Sequence, residues 1–163
     1  MSLFENNEYQ WRETYFVFFR AQNRPNSAAV QQALREISEN FQVTNIRENE
    51  SSELESLTVL APDDYAAMDV SVACGDEVTE QKEELLSQLR SMAVGDEAER
   101  VKEIQGCDCR FDIFHFEQLV FVGKSPDDED DDFMDPGTVL IVMQKLADLC
   151  GGIAVDPQSN TLL

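Results

Sequence analysis

The sequence has one histidine, seven glycines and only 12 Lys and Arg to set against 33 Asp and Glu. Each scarcity excludes something. Any Cys–His or Ser–His–Asp chemistry has to run through His115. No glycine-rich phosphate cradle exists: Gly151 and Gly152 follow a helical stretch instead of opening one, and neither G-x-x-x-x-G-K-[ST] nor G-x-G-x-x-G occurs. The motifs G-x-S-x-G and H-E-x-x-H are absent too. A net charge of −21 repels phosphate backbones and anionic leaflets alike, so nucleic acid and membrane surfaces are not expected partners. No apolar run exceeds five residues, the length of Val139–Met143, against the roughly 18–20 of a membrane span.

Met1–Glu8 lacks a basic segment followed by an apolar one, so no secretory signal is read there and a cytoplasmic location is expected. Cys74, Cys107, Cys109 and Cys150 are sparse beside the framework of a secreted mini-protein, and they read as reduced thiols.

Against these scarcities stand a 42% hydrophobic content and ten Phe, enough apolar surface for a packed core. Residues 1–13 are polar and aperiodic and read as a flexible N-terminal arm; residues 14–163 read as a single α+β domain with an acidic loop at 125–136. Thr14–Arg20 is a strand apolar on both faces, which places it centrally. A turn and cap at Arg24–Ser27 open a helix over 27–40 carrying Val30, Ala33, Leu34, Ile37 and Phe41. Strands follow at Phe41–Arg47 and Leu57–Ala61. Asp69–Cys74 alternates with one buried face, the pattern of an edge strand open to pairing with a second copy.

Two helices come next, one from Thr79 with Leu85, Leu86, Leu89 and Met92 inward, the other from Asp96 with Val101 and Ile104 inward. Phe111–Val122 is a long strand with a bend expected near 115–118. The helix opened by Asp135-Pro136-Gly137 is apolar around most of its circumference and belongs inside. Ile153–Val155 and Thr161–Leu163 return as extended chain. The order β-α-β-β-β-α-α-β-α-β predicts a mixed or antiparallel sheet with helices packed on it, a ferredoxin-like βαββαβ core with additions.

Three constellations bear on chemistry. Residues 125–136 hold seven acids and no base, one third of the net charge. They do not form an EF-hand: with Asp128 first, Phe133 stands where Gly is needed and Val139 where Glu is needed. The run reads as a solvated loop, as a weak, low-affinity divalent-cation binder, and as a docking strip for a basic surface with Phe133 and Met134 as anchors, three readings that can hold together. Cys107-Asp108-Cys109 lacks the second ligand pair of a structural zinc site and the spacing of a redox Cys-x-x-Cys. His115, between Phe114 and Phe116, reads as a satisfied sheet histidine, with Glu117 on the same face to pair with its ring. The adjacent pairs Asp63-Asp64 and Asp127-Asp128 carry no specificity among 33 acids.

No catalytic, cofactor or metal residue is therefore assigned. The expected function is a non-catalytic protein–protein interaction or regulatory role, acting as a monomer or homodimer, with a basic protein partner meeting the acidic exterior. The alternative is a small-ligand-binding protein or enzyme using a cleft near Phe111–Val122. A nucleic-acid mimic also fits the charge.

Overall fold

A computed structural model describes residues 8–62, 65–92, 95–118, 137–159 and 161–163. Among these residues the fold is α+β: seven strands in one antiparallel sheet and four α-helices. The strands are β1 (Tyr9–Phe19), β2 (Gln42–Glu48), β3 (Leu54–Ala61), β4 (Ala66–Cys74), β5 (Cys109–Gln118), β6 (Ile153–Asp156) and β7 (Thr161–Leu162), in the spatial order β2-β3-β4-β5-β1-β6-β7. The helices are α1 (Ser27–Ile37), α2 (Asp76–Met92), α3 (Asp96–Gln105) and α4 (Gly137–Cys150).

The aromatic run in β1 is apolar on both faces because β1 is covered on both. Tyr15, Val17 and Phe19 meet α1 and α4 in one core, whereas Phe16 and Phe18 meet α2 and α3 in a second. β5 alternates in the same way: Phe111 and Ile113 enter the first core, and Phe111 packs 4.9 Å from Phe19 between ring centres. Helix α1 starts where the sequence places it, with Asn26 accepting a hydrogen bond from the Ala29 amide at 2.7 Å. Gly151, at φ 61°, ends α4. Gly152 then passes so close to β1 that an added Cβ would lie 2.6 Å from the Phe18 carbonyl oxygen, and this approach lets β6 pair with β1.

Several expectations are corrected. No ferredoxin-like core is confirmed: the sheet is larger than that fold, and β1 lies between β5 and β6, separated from β2 by three strands. The strand expected from Thr14 begins at Tyr9, so Tyr9–Glu13 of the expected arm pair with β5. β4 is not an edge. It is paired on both sides, with β3 and β5, and the edges are β2 and β7. Its polar positions Asp69 and Ser71 lie on the face that α2 and α3 cover only in part, which is why the alternation imitated an edge.

Helix α2 begins at Asp76 instead of Thr79, whose hydroxyl donates to the Asp76 carbonyl at 3.0 Å. Helix α4 is not interior: Val139, Val142, Met143 and Leu146 are buried, but Leu140, Ile141 and Leu149 are exposed. The bend expected in the long strand sits in its neighbour, as a bulge between Trp11 and Glu13 of β1. The acidic loop at 125–136, the end of that strand at 119–122 and the Asp63-Asp64 pair lie outside the described residues.

The thiols are also corrected. The β4–β5 register sets Cys74 directly opposite Cys109, with Cα atoms 4.1 Å apart, and the two form a disulfide; Cys107 and Cys150 are free and buried. Spacing along the chain could not foretell this, because the two cysteines are 35 residues apart and only the strand register joins them. The bond closes the chain segment containing α2 and α3. Closing a loop of that length is worth about 3–4 kcal/mol in the chain-entropy account. Denatured, unreduced protein should therefore expose two reactive thiols and reduced protein four. Reduction should lower the urea midpoint, and four thiols without reductant would contradict the assignment.

Candidate functional site

The only histidine is the centre of a buried polar cluster. His115 on β5 is fully buried, and its Nδ1 lies 3.0 Å from Glu13 Oε1 on β1, the residue paired with it across the ladder. The Tyr15 hydroxyl donates to the same carboxylate oxygen at 3.0 Å. A carboxylate only accepts, so the proton of this contact resides on Nδ1. Nε2 is buried and finds no hydrogen-bond partner among the described residues. Burial, reinforced by the charge of Glu13, pushes the Tyr15 hydroxyl well above the ordinary tyrosine range. Glu117, the expected partner of His115, instead faces Arg12 at 3.5 Å. The bulge explains the exchange: with Arg12 as the extra residue, Glu13 is brought opposite His115.

The cluster therefore joins the two central strands. The His115 ring is enclosed in this conformation.

Each free thiol is held protonated. Burial raises Cys107, whose Sγ donates to the Glu103 carbonyl at 3.4 Å. Burial likewise pushes Cys150 up to about 12, with its Sγ donating to the Leu146 carbonyl at 3.0 Å. Neither is a thiolate at neutral pH, the form that attacks electrophiles or binds metal. Among the described residues no group of three or more His, Cys, Asp or Glu is arranged around a metal position.

Surface chemistry is concentrated in two places. An open groove of about 400 Å³ lies against β2, β3 and β4, with Arg47, Asp69 and Phe114 among its lining residues. The Thr58 hydroxyl donates to Asp69 Oδ1 there at 2.6 Å.

The second place is the α2–α3 layer. Asp76, Glu77, Glu80, Glu83 and Glu84 on α2 and Asp96, Glu97, Glu99 and Glu103 on α3 are all exposed, and none of these nine carboxylates is in an ion pair among the described residues. Of the four cations on these helices Arg90 and Lys102 are exposed, whereas Lys82 and Arg100 meet backbone carbonyls. Lys82 is buried, and its ammonium donates to the Gln105 carbonyl at 2.7 Å and the Cys107 carbonyl at 2.5 Å, satisfying carbonyls at the end of α3. Arg100 donates to the Leu163 carbonyl at 2.7 Å. From the sheet below, the buried Arg110 stacks 4.4 Å over the Phe16 ring, donates to Gln81 of α2 at 2.8 Å and pairs with Asp112. Burial raises the Asp112 carboxyl while the Arg110 charge opposes that rise.

The chain matches no family model, no curated protein and no solved structure. The surface and the buried clusters are therefore the whole basis for a functional reading. Sequence reasoning missed Glu13, Lys82 and Arg110. The one available signal was Glu13-x-Tyr15, the alternation that puts an acid and a phenol on the face His115 also uses.

Replacing Glu13 by Ala removes the acceptor of two buried donors and should cost about 2–4 kcal/mol. In the Tyr15→Phe background the cost should fall, because one donor is already gone. Urea denaturation of the four proteins measures this, and equal costs in both backgrounds would contradict the shared carboxylate.

Proposed function

We propose that the chain is a non-catalytic protein-interaction domain whose α2–α3 layer receives a basic surface on a partner protein. One observation carries the reading: nine carboxylates of the layer are exposed without ion pairs among the described residues, against only two exposed cations, Arg90 and Lys102, because Lys82 and Arg100 are engaged by backbone carbonyls. A surface that only needed solubility would gain from mixed charges, since neighbouring acids repel one another along a helix. Unpaired acids held on a fixed scaffold lose little conformational freedom on meeting Lys or Arg, and opposite charge accelerates encounter. The seven acids of 125–136 add to the same field in this proposal.

A cytoplasmic location belongs to the same proposal. The Cys74–Cys109 disulfide weighs against that location, because cytosolic thiols are normally kept reduced.

The test is capture of partners from a lysate on immobilised full-length protein at low and high salt. A basic partner should be retained at low salt and released at high salt, and it should be lost from a variant carrying Glu80→Gln, Glu83→Gln and Glu84→Gln. A control carrying Glu48→Gln, Glu50→Gln and Glu55→Gln should retain it. Capture that ignores salt, or that survives the α2 substitutions, contradicts the reading.

A further inference from the structure

The Cys74–Cys109 disulfide lies at the last rung of the β4–β5 ladder, where the chain leaves the sheet into α2 and returns from α3. The pairs from Ala66–Glu117 to Ala73–Arg110 hold the two strands without it. Its two ends are unlike. Cys109 is wholly buried in the first core, whereas Cys74 is exposed. Beside Cys74 the chain is open as well: a Cβ added to Gly75 would meet nothing within 4 Å. Bonds with an exposed end are the ones that exchange with external thiols.

What the bond pins is a junction of polar contacts. The Gly75 amide donates to the Asp108 carbonyl at 2.9 Å, and the Gly75 carbonyl accepts from the amides of Val78 and Thr79 in the first turn of α2. Lys82 of α2 donates to the Cys107 carbonyl, two residues before Cys109.

We propose that the Cys74–Cys109 bond is a reversible redox switch, opened at Cys74 by an external dithiol, that controls how firmly the start of α2 and the end of α3 are fixed to the sheet. One thiolate of the dithiol attacks Cys74 Sγ and forms a mixed disulfide, while the Cys109 sulfur leaves with the bonding pair and takes up a proton. The second thiolate of the dithiol then attacks its partner sulfur and releases Cys74, which is protonated in turn. Two electrons and two protons pass, the protein gains two thiols and the dithiol becomes a disulfide; exchange with an oxidised disulfide runs the same steps in reverse.

Both states suit the fold. A reduced Cys109 packs in the core as a small apolar side chain, and a reduced Cys74 lies at the surface. The other thiols leave the bond alone. Cys107 and Cys150 are buried and donate to the Glu103 and Leu146 carbonyls, so neither supplies the thiolate that would scramble it. Without the bond the last rung frays, and fraying releases the Gly75–Asp108 hydrogen bond and shifts an acceptor of Lys82. The switch is independent of the partner reading above, since it concerns the junction and not the acids.

Reduction of the folded full chain by dithiothreitol, followed by thiol titration at several dithiol concentrations and in urea below the unfolding transition, tests this. The rate should rise in proportion to dithiol and stay flat in urea, with two thiols gained and circular dichroism retained, and oxidised glutathione should restore the bond. In folded Cys109→Ala protein, Cys74 should alkylate at least tenfold faster than Cys109 does in folded Cys74→Ser protein. Hydrogen exchange at the amides of Gly75, Val78 and Thr79 should be at least tenfold faster in the reduced protein, through openings that urea does not accelerate. A reduction rate that ignores dithiol and rises with urea marks a bond reached only by unfolding and overturns the proposal. So does loss of circular dichroism on reduction, unchanged exchange at those amides, or alkylation of Cys109 as fast as that of Cys74.

Discussion

Two-sided burial of the central strands is the constraint on which the rest depends. β1 and β5 form the longest ladder of the sheet, and each carries aromatic or aliphatic side chains on both faces, so neither can lie at an edge or leave a face to water. Each buried large side chain contributes roughly 1.5–3 kcal/mol only if a helix covers it. The fold answers with α1 and α4 on one face and α2 and α3 on the other. Polar groups of the β1–β5 ladder partner one another, Glu13, Tyr15 and His115 Nδ1 on one face and Arg110 and Asp112 under α2 on the other. The chemistry that looks reactive in isolation, a histidine beside a carboxylate and a buried cation, is thereby engaged in holding strands and helices in register.

That arrangement removes two cations from the solvent-facing balance of a chain of net charge −21. Lys82 and Arg110 are buried among carbonyls and carboxylate, so the exterior above α2 and α3 is more acidic than composition alone indicates. The layer over the other face has balanced charge and exposed leucines. The two helical layers thus differ in charge.

The local parts of the fold were legible in the sequence because their causes are local. Alternation marked β1 and β5, the Asn26 cap marked α1, and helical spacing marked α2 and α3. What was not legible depends on pairing at a distance. Tyr9–Glu13 look like a polar arm until β5 lies beside them, and the bulge that turns Glu13 onto His115 exists only in that ladder. Cys74 and Cys109 become bonded only through the β4–β5 register. For α4, Val139–Met143 is apolar without interruption, so periodicity cannot say which face is inward, and the exposed Leu140 and Ile141 emerge only once the sheet is placed. No reactive site was legible, and the one reactive-looking residue, His115, is enclosed.

Native-state hydrogen exchange measures the central claim most directly. If two-sided burial of β1 and β5 organises the molecule, the amides of Tyr15–Phe19 and Phe111–Ile113 should exchange last and only through global unfolding, tracking the free energy from denaturant titration. Those of the exposed edge strand β2 should exchange through local opening. Protection of β2 equal to that of β1 and β5, or exchange of the central ladder well below the global unfolding free energy, would contradict the account.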